Sequence, residues 1–490
     1  MIFFCCREKG LRGEYVVMMN FWDYNIWSLL VTMTILLGGM MVANMLRRLI
    51  RPLRQTLIPS AVLGGFIVLL VDFFFKGVFH FSMFDNITLE ALTYHGLGLG
   101  FVAIALKDGG DKQEKKKERV TILNFGAAVV STYLMQGGLG LIITIGLFVF
   151  MSTGFPASGL ILPMGYGQGP GQAYNWGHNY EVTWGFYNGT SFGLTLAAMG
   201  FISASAGGVF YLWRLRKRGV AALTSENEET DDLSAEHVTK KGEIPLSESM
   251  DKLTVQIALV FIAYIMAYLM MSGINLIIES DVLGDFGYNP LQPLIWGFNF
   301  LFATISAMIL KIVLGAFKKA KLLKREYTND FMQTRISGFM FDLMVVASIS
   351  AINLAAFRVQ SFVIALTLLC VVGTVSTYWY CDFVCKRLFS SIRHESFLAL
   401  FGMLTGTNST GIILLRQIDP NFNTPVARYL VYQVLYASIF GFPMMLMMGY
   451  APGGGVKSAV ITLAAIAAFF VVMNLLLFRR MIFAKKSKTD

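Results

Sequence analysis

From residue 26 to residue 478 the chain is a succession of apolar stretches of membrane-spanning length. They cover roughly 26–46, 58–75, 91–106, 121–151, 189–213, 253–278, 290–310, 336–356, 359–385, 425–449 and 456–478. About 20 apolar residues in a helix cross roughly 30 Å of hydrocarbon. Within that layer a lipid-exposed chain can satisfy its backbone polar groups only as helices or as a closed barrel. Only 14% of residues are charged, against roughly a quarter in soluble domains. The pattern predicts an all-α polytopic membrane protein.

The formal net charge of +10 could mark a nucleic-acid partner, but the basic residues are placed for another purpose. Of the 40 lysines and arginines, 32 fall in 46–57, 107–119, 214–252, 311–335, 386–396 and the stretch after 478. These segments alternate with poor ones, as the positive-inside rule requires of cytoplasmic loops. The expectation is a multi-pass cell-membrane protein in contact with lipid, with its N-terminus outside, its C-terminus inside and no nucleic-acid partner. Residues 1–20 read as a tail, with Met18 or Met19 as an alternative start. The five cysteines have no metal-ligand spacing, and Cys381 and Cys385, one turn apart, suit a buried helix face.

Two further segments, 158–178 and 397–416, are too short or too rich in Gly, Ser and Thr to cross. Each falls between the fourth and fifth span of a set of five. Because five is odd, the second set starts on the opposite face, and the polar stretch 214–252 reads as a cytoplasmic linker between the sets. The chain thus divides into a first repeat, 21–213, and a second, 253–449, inverted relative to each other, each with a re-entrant glycine-rich segment. Residues 450–490 add one C-terminal helix and a basic tail.

The first break, "MGYGQGPGQAYNWG", begins at Met164. Irregular backbone at membrane depth must be buried in protein or line a water-filled cavity, and glycine permits close approach to a ligand. Broken helices at matching places in two inverted halves point to a transport site at the midplane. Gln168, Gly169, Gly171, Gln172 and Asn175 are therefore candidates for substrate binding. A potassium filter would need Thr-Val before "GYG", and a nucleotide-binding glycine turn would need a preceding strand. Close helix packing explains Gly64-Gly65, Gly137-Gly138 and Gly207-Gly208 better than it explains this run.

The second break, "LFGMLTGTNSTGIILLRQIDP", starts at Leu400 and puts Thr405, Thr407, Asn408, Ser409 and Thr410 within six residues. Neutral oxygens of this kind suit sodium, although they could equally satisfy neighbouring backbone. Arg416 closes the segment and could meet a substrate carboxylate bidentately, or be an ordinary inside-flanking arginine. Asp342, inside the eighth span, is a candidate cation ligand or proton-linked group, because charges in membranes usually face cavities. Asp72 and Asp382 lie nearer helix ends, and His95 reads as a packing histidine.

With "LIPSAVLGG" at 57–65, "YHGLGLGFVAIALK" at 94–107 and both breaks, the sequence resembles the sodium/glutamate symporter family of bacterial inner membranes over roughly residues 20–450. The family's "GGHGTGAAW"-type loop is similar to the stretch from Gln168 to Tyr174, with Gln168 in place of the histidine and Gln172 in place of the first small residue. Its "GATPTAI" loop is similar to Gly406–Ile412, with Ser409 in place of the proline. The resemblance implies ten spans, two re-entrant loops and inverted halves, with sodium-coupled symport of glutamate or a similar small carboxylate. Sodium would be the coupling ion, with no other cofactor, and a homodimer is compatible with such a chain. Alternatives are proton- or sodium-coupled transport of another organic anion, a channel, or an intramembrane enzyme. The last would need a catalytic pair, and the titratable residues are scattered over separate spans. No G-x-x-x-x-G-K-[ST] occurs, and "GGGVKS" at 453–458 breaks that spacing, so ATP-driven transport has no support.

Overall fold

The computed structural model describes residues 24–107, 116–152, 154–219, 251–280, 291–322, 327–420 and 422–484, with Glu8–Lys9, Tyr15–Val16, Trp22 and Gly284 besides. Most of the N-terminal tail, residues 220–250 of the 214–252 linker and the end of the basic tail lie outside the described residues. Apart from a two-residue ladder between Glu8–Lys9 and Tyr15–Val16, the regular elements described are helical.

In the first half these are α1 (Tyr24–Leu49), α2 (Ser60–Phe79), α3 (Asn86–Leu106), α4 (Lys116–Met151), α5 (Pro170–Trp184) and α6 (Gly189–Lys217). In the second half they are α7 (Lys252–Glu279), α8 (Asn299–Lys319), α9 (Asp330–Ser350), α10 (Gln360–Leu388), α11 (Arg393–Thr405), α12 (Asn408–Leu415) and α13 (Val426–Tyr450). A last helix, α14 (Val456–Ala484), follows. Each of the eleven apolar stretches lies wholly or largely within one of these helices. Among the described residues, nine helices are long and apolar enough to cross a membrane, and ten if the bent α13 counts as one span. The remaining one, α9, carries Asp330, Gln333, Arg335 and Asp342 and is less apolar than the others.

Boundaries move where capping rather than hydropathy sets them. α9 starts at Asp330, not 336, because Asn329 accepts the Met332 amide at 2.8 Å as an N-cap. The seventh span starts later than 290: a short helix, Gln292–Gly297, precedes α8.

Packing divides the described helices into two bodies. The first contains α1, α2, α3, α7, α8 and α9; the second contains α4, α6, α10, α13, α14 and both broken segments. Contacts between the halves are reciprocal. α3 packs on α9; α2 meets α9 as α8 meets α3; α4 meets α13 as α10 meets α6. Glycines set the closest approaches. In α3 a Cβ on Gly96 would lie 3.0 Å from Met344 Cβ, and one on Gly98 would lie 2.4 Å from the Tyr264 ring. His95 Nδ1 pairs with the Tyr264 hydroxyl at 2.9 Å, joining α3 to α7. Asp72 is buried and paired: it accepts the Met83 amide at 2.9 Å and lies 2.7 Å from Lys76 Nζ.

α14 packs on α4, α13 and the Pro156–Leu160 turn, and a part-buried polar triad fixes it there. Asn474 donates to Ser131 Oγ at 2.8 Å, the Tyr380 hydroxyl donates to Asn474 Oδ1 at 2.8 Å, and the two hydroxyls are 2.6 Å apart.

Candidate substrate and ion site

The first break is longer than its sequence signature. A 3-10 turn (Pro156–Leu160), one α turn (Ile161–Pro163) and a π turn (Met164–Gln168) lead to Gly169. α5 then continues to Trp184. Gly169 has φ 85° and ψ −175°, a combination reached at little cost only by glycine. Pro170 at the first helical position needs no N–H partner. The chain doubles back at Gly169: Phe155 and Phe186 stack with centroids 4.9 Å apart, so the segment between them leaves and returns at the same end.

Backbone-to-backbone contact holds the descending arm against α4. A Cβ on Gly159 would lie 2.1 Å from Gly140 C, and one on Gly140 would lie 2.2 Å from Gly159 O. Tyr166 of "GYG" is fully buried, its hydroxyl 3.0 Å from Cys370 O and 3.1 Å from Thr374 Oγ1. It anchors the π turn to α10 rather than lining a pore.

The second break is a tighter hairpin. α11 ends at Thr405, Gly406 takes φ −138° and ψ −101°, and Thr407 caps α12. Thr407 Oγ1 accepts the Thr410 amide at 3.4 Å. Gly402 and Gly411 let the two arms touch, a Cβ on the first lying 2.8 Å from the second's Cα.

The two breaks meet. A Cβ on Gly169 would lie 3.0 Å from Thr407 Cγ2 and 3.7 Å from Gly406 O, and one on Gly200 would lie 2.4 Å from Thr405 O. The starts of α5 and α12 therefore lie at one junction, each bringing the positive end of a helix dipole. Carbonyls freed by the breaks find partners on α4. The Tyr133 hydroxyl donates to Gly167 O at 3.0 Å, and Gln136 Nε2 donates to Leu404 O at 3.0 Å and Thr377 Oγ1 at 2.8 Å.

The junction gathers some of the predicted residues and not others. Gly169, Gly406 and Thr407 are at it, with half-buried Gln168 beside them. Thr405 and Thr410 are buried, the Thr405 hydroxyl bonding to Phe401 O at 2.6 Å; Asn408 and Ser409 are exposed. Gly171 turns away to pack, a Cβ there meeting Leu97 Cδ1 at 2.7 Å and Met344 Sδ at 2.9 Å. Gln172 is 2% exposed, and neither of its amide atoms has a partner. Such groups cost roughly 1–3 kcal/mol each when buried unpaired. Asn175 is 7% exposed and donates to Gly297 O at 2.9 Å.

Arg416 stands apart. It is exposed at the far end of α12, about 13 Å of helix rise from Thr407, its guanidinium 5.2 Å from the Phe422 ring. Asp342 is exposed on α9, and it is Met344, two residues on, that meets the first break. Sequence reasoning missed Tyr133, Gln136 and Thr377. The available signal was an amide beside a glycine pair inside an apolar run, "YLMQGG".

The sequence model of a family described as sodium/glutamate symporter matches residues 24–283, slightly more than half of the chain. The matched stretch contains the first break and stops short of the second. No curated protein matches the chain significantly.

Proposed function

This chain belongs to the sodium/glutamate symporter family, and on that premise we propose that it couples sodium entry to uptake of glutamate or a similar small carboxylate. The observation that carries the reading is the meeting of Gly169 with Gly406 and Thr407. Two half-helix starts converging on one junction favour an anionic group there. The neutral oxygens of Thr405, Thr407, Asn408, Ser409 and Thr410 supply ligands of the kind sodium takes. In this reading the two breaks are re-entrant loops of inverted repeats entering from opposite faces, with the N-terminus outside and the C-terminus inside. Reciprocal pairing of the halves supports it, because a two-fold relation generates such pairs. Alternating access would then be relative movement of the two bodies about the junction.

The test is accumulation of labelled glutamate in proteoliposomes with and without an inward sodium gradient. Uptake that needs the gradient is expected; uptake indifferent to sodium overturns the coupling. A second reading, transport of a different organic anion, is favoured by Gln168 and Gln172, which stand where the resembling loop has histidine and a small residue. Binding measured over a panel of amino and dicarboxylic acids separates the two.

A further inference from the structure

One pairing between the bodies is lopsided. α5 packs along α3 and α9 of the first body, whereas α12, its counterpart in the inverted-repeat reading, packs on α11, α6 and α13 of its own body. Burial follows the packing. Pro170 to Gly177 are all buried. On α12, Asn408, Ser409 and Arg416 are exposed, and Ile412 and Ile413 are half-buried. Spacings of three and four residues put Ser409, Ile412, Ile413 and Arg416 on one face. That face runs uncovered from the junction to the far end of the hairpin. Its polar ends suit water, because such groups in a membrane protein face cavities rather than lipid.

The covered side is closed by contacts that climb α5. Gly171 sits against Leu97 and Met344, Asn175 donates to Gly297 O at 2.9 Å, and the Trp176 ring meets Phe298 edge-on at 6.3 Å. The charged member is Glu90 of α3. Its Oε2 accepts the Tyr174 hydroxyl at 3.1 Å and lies 3.8 Å from His178 Nδ1. The rings of Tyr174 and His178 stack with centroids 5.3 Å apart, so one carboxylate clasps two successive turns of α5. His178 is eight residues beyond Pro170, about 12 Å of rise toward the end at which the first break enters. The other carboxylate on α5, Glu181, is turned to its own body, accepting the amides of Asn188 at 3.2 Å and Thr190 at 2.9 Å.

We propose that this conformer is closed at the end where the first break enters and open at the other, and that Glu90 latches it by holding α3 to Tyr174 and His178. The inference rests on the transport reading and deepens it, naming the closed side and the contact that must be released. In the orientation proposed above, the closed side faces outward. Hydrogen bonds to an ionised acceptor are roughly twice as strong as neutral ones, which sets Glu90 above the Asn175–Gly297 contact. A contact present in only one of two conformers biases their equilibrium by its own free energy. Glu90 is such a contact, because α5 must leave α3 before the junction can open at that end.

The test is labelling of the purified full-length protein by a hydrophilic maleimide, read at each cysteine by mass spectrometry, with Cys5 and Cys6 replaced by serine. Ser409→Cys, on the uncovered face, should label fast, and Leu97→Cys, buried in the closed seam, slowly. Glu90→Ala should speed labelling at Leu97→Cys about tenfold, since that rate follows the population of the opposite conformer. Native Cys385, fully buried in the second body, should stay protected. Tyr174→Phe, which loses the same hydrogen bond but keeps the ring, should act in the same direction by at least about threefold, and it carries the test if Glu90→Ala does not fold. Equal rates at Ser409→Cys and Leu97→Cys in the native background overturn the closed and open sides. A rate at Leu97→Cys unmoved by both variants, or one that rises together with labelling of Cys385, overturns the latch. The labelling needs neither sodium nor substrate, so a lack of sodium-driven uptake would overturn the transport reading and leave this result standing.

Discussion

Tyr133 and Gln136 lie one turn apart on α4, and each donates to a carbonyl released by a different helix break. One turn of one helix therefore fixes the depth of both half-helix starts. Gln136→Leu leaves Leu404 O unpaired in a buried place, which costs roughly 1–3 kcal/mol. The expected result is a lower unfolding temperature in detergent and at least about tenfold slower uptake, since misplacing a site by about 1 Å costs far more than binding alone. Tyr133→Phe, which loses a single neutral bond, should cost about 1 kcal/mol.

Gly169→Ala should impair uptake through backbone strain more than through crowding. A side chain at φ 85°, ψ −175° carries a strain of roughly 1–3 kcal/mol. The added Cβ also presses on Thr407 at 3.0 Å. Adding Thr407→Ser removes the methyl group that is pressed but not the strained dihedral. Uptake by the double variant is expected to stay near that of Gly169→Ala; full recovery would show that crowding alone was at fault.

Gln172→Met should separate stability from function. Removing two buried unpaired atoms at nearly constant volume is expected to raise the unfolding temperature, with a gain of roughly 1–2 kcal/mol. Sodium-driven uptake should fall. A variant both less stable and less active would mean that Gln172 is held by the fold rather than kept for a ligand.

Asp419, in the loop after α12, makes the fold acid-sensitive. Burial works against its charge, but the Thr424 hydroxyl and the amides of Thr424 at 3.0 Å and Asn423 at 2.8 Å outweigh it and hold its pKa below the usual carboxylate value. A group depressed in the folded state stabilises fully above its unfolded value near 3.9, and the benefit is lost as pH falls through the folded value. Unfolding temperatures measured from roughly pH 6 to pH 3 should fall more steeply for the native chain than for Asp419→Asn.

Asn474→Leu should loosen α14. It removes the bonds Asn474 makes to Ser131 and Tyr380, whose hydroxyls keep each other as partners, an expected loss of about 1 kcal/mol per bond. Crosslinking between cysteines placed on α14 and α4 would report it as a fall in yield.

The spans were legible because both the lipid-facing and the protein-facing sides of these helices are largely apolar, so hydropathy sees nearly the whole helix. It failed at the ends of α8 and α9, where an N-cap such as Asn329 and a short helix such as Gln292–Gly297 decide the boundary without being apolar. The first break was legible because the glycine-dense run Gly165, Gly167, Gly169 followed by Pro170 cannot continue one ordinary helix. Their roles were less so. Gly171 reads like Gly169 in sequence, yet it serves contact with Leu97 and Met344. Tyr133 and Gln136 sit in a plain apolar run, and their importance depends on carbonyls more than thirty and more than two hundred residues away. Arg416 looked well placed beside the second break, but α12 carries it to the opposite end of the hairpin from Thr407.

The triad of Asn474, Ser131 and Tyr380 makes the appended helix a passenger rather than part of a fixed frame. In the proposed mechanism, a displacement that carries both breaks past the first body drags α14 through the lipid with them. The oily surface this transporter sweeps during each cycle is therefore larger than ten spans would require, and bilayer viscosity becomes a candidate governor of its turnover.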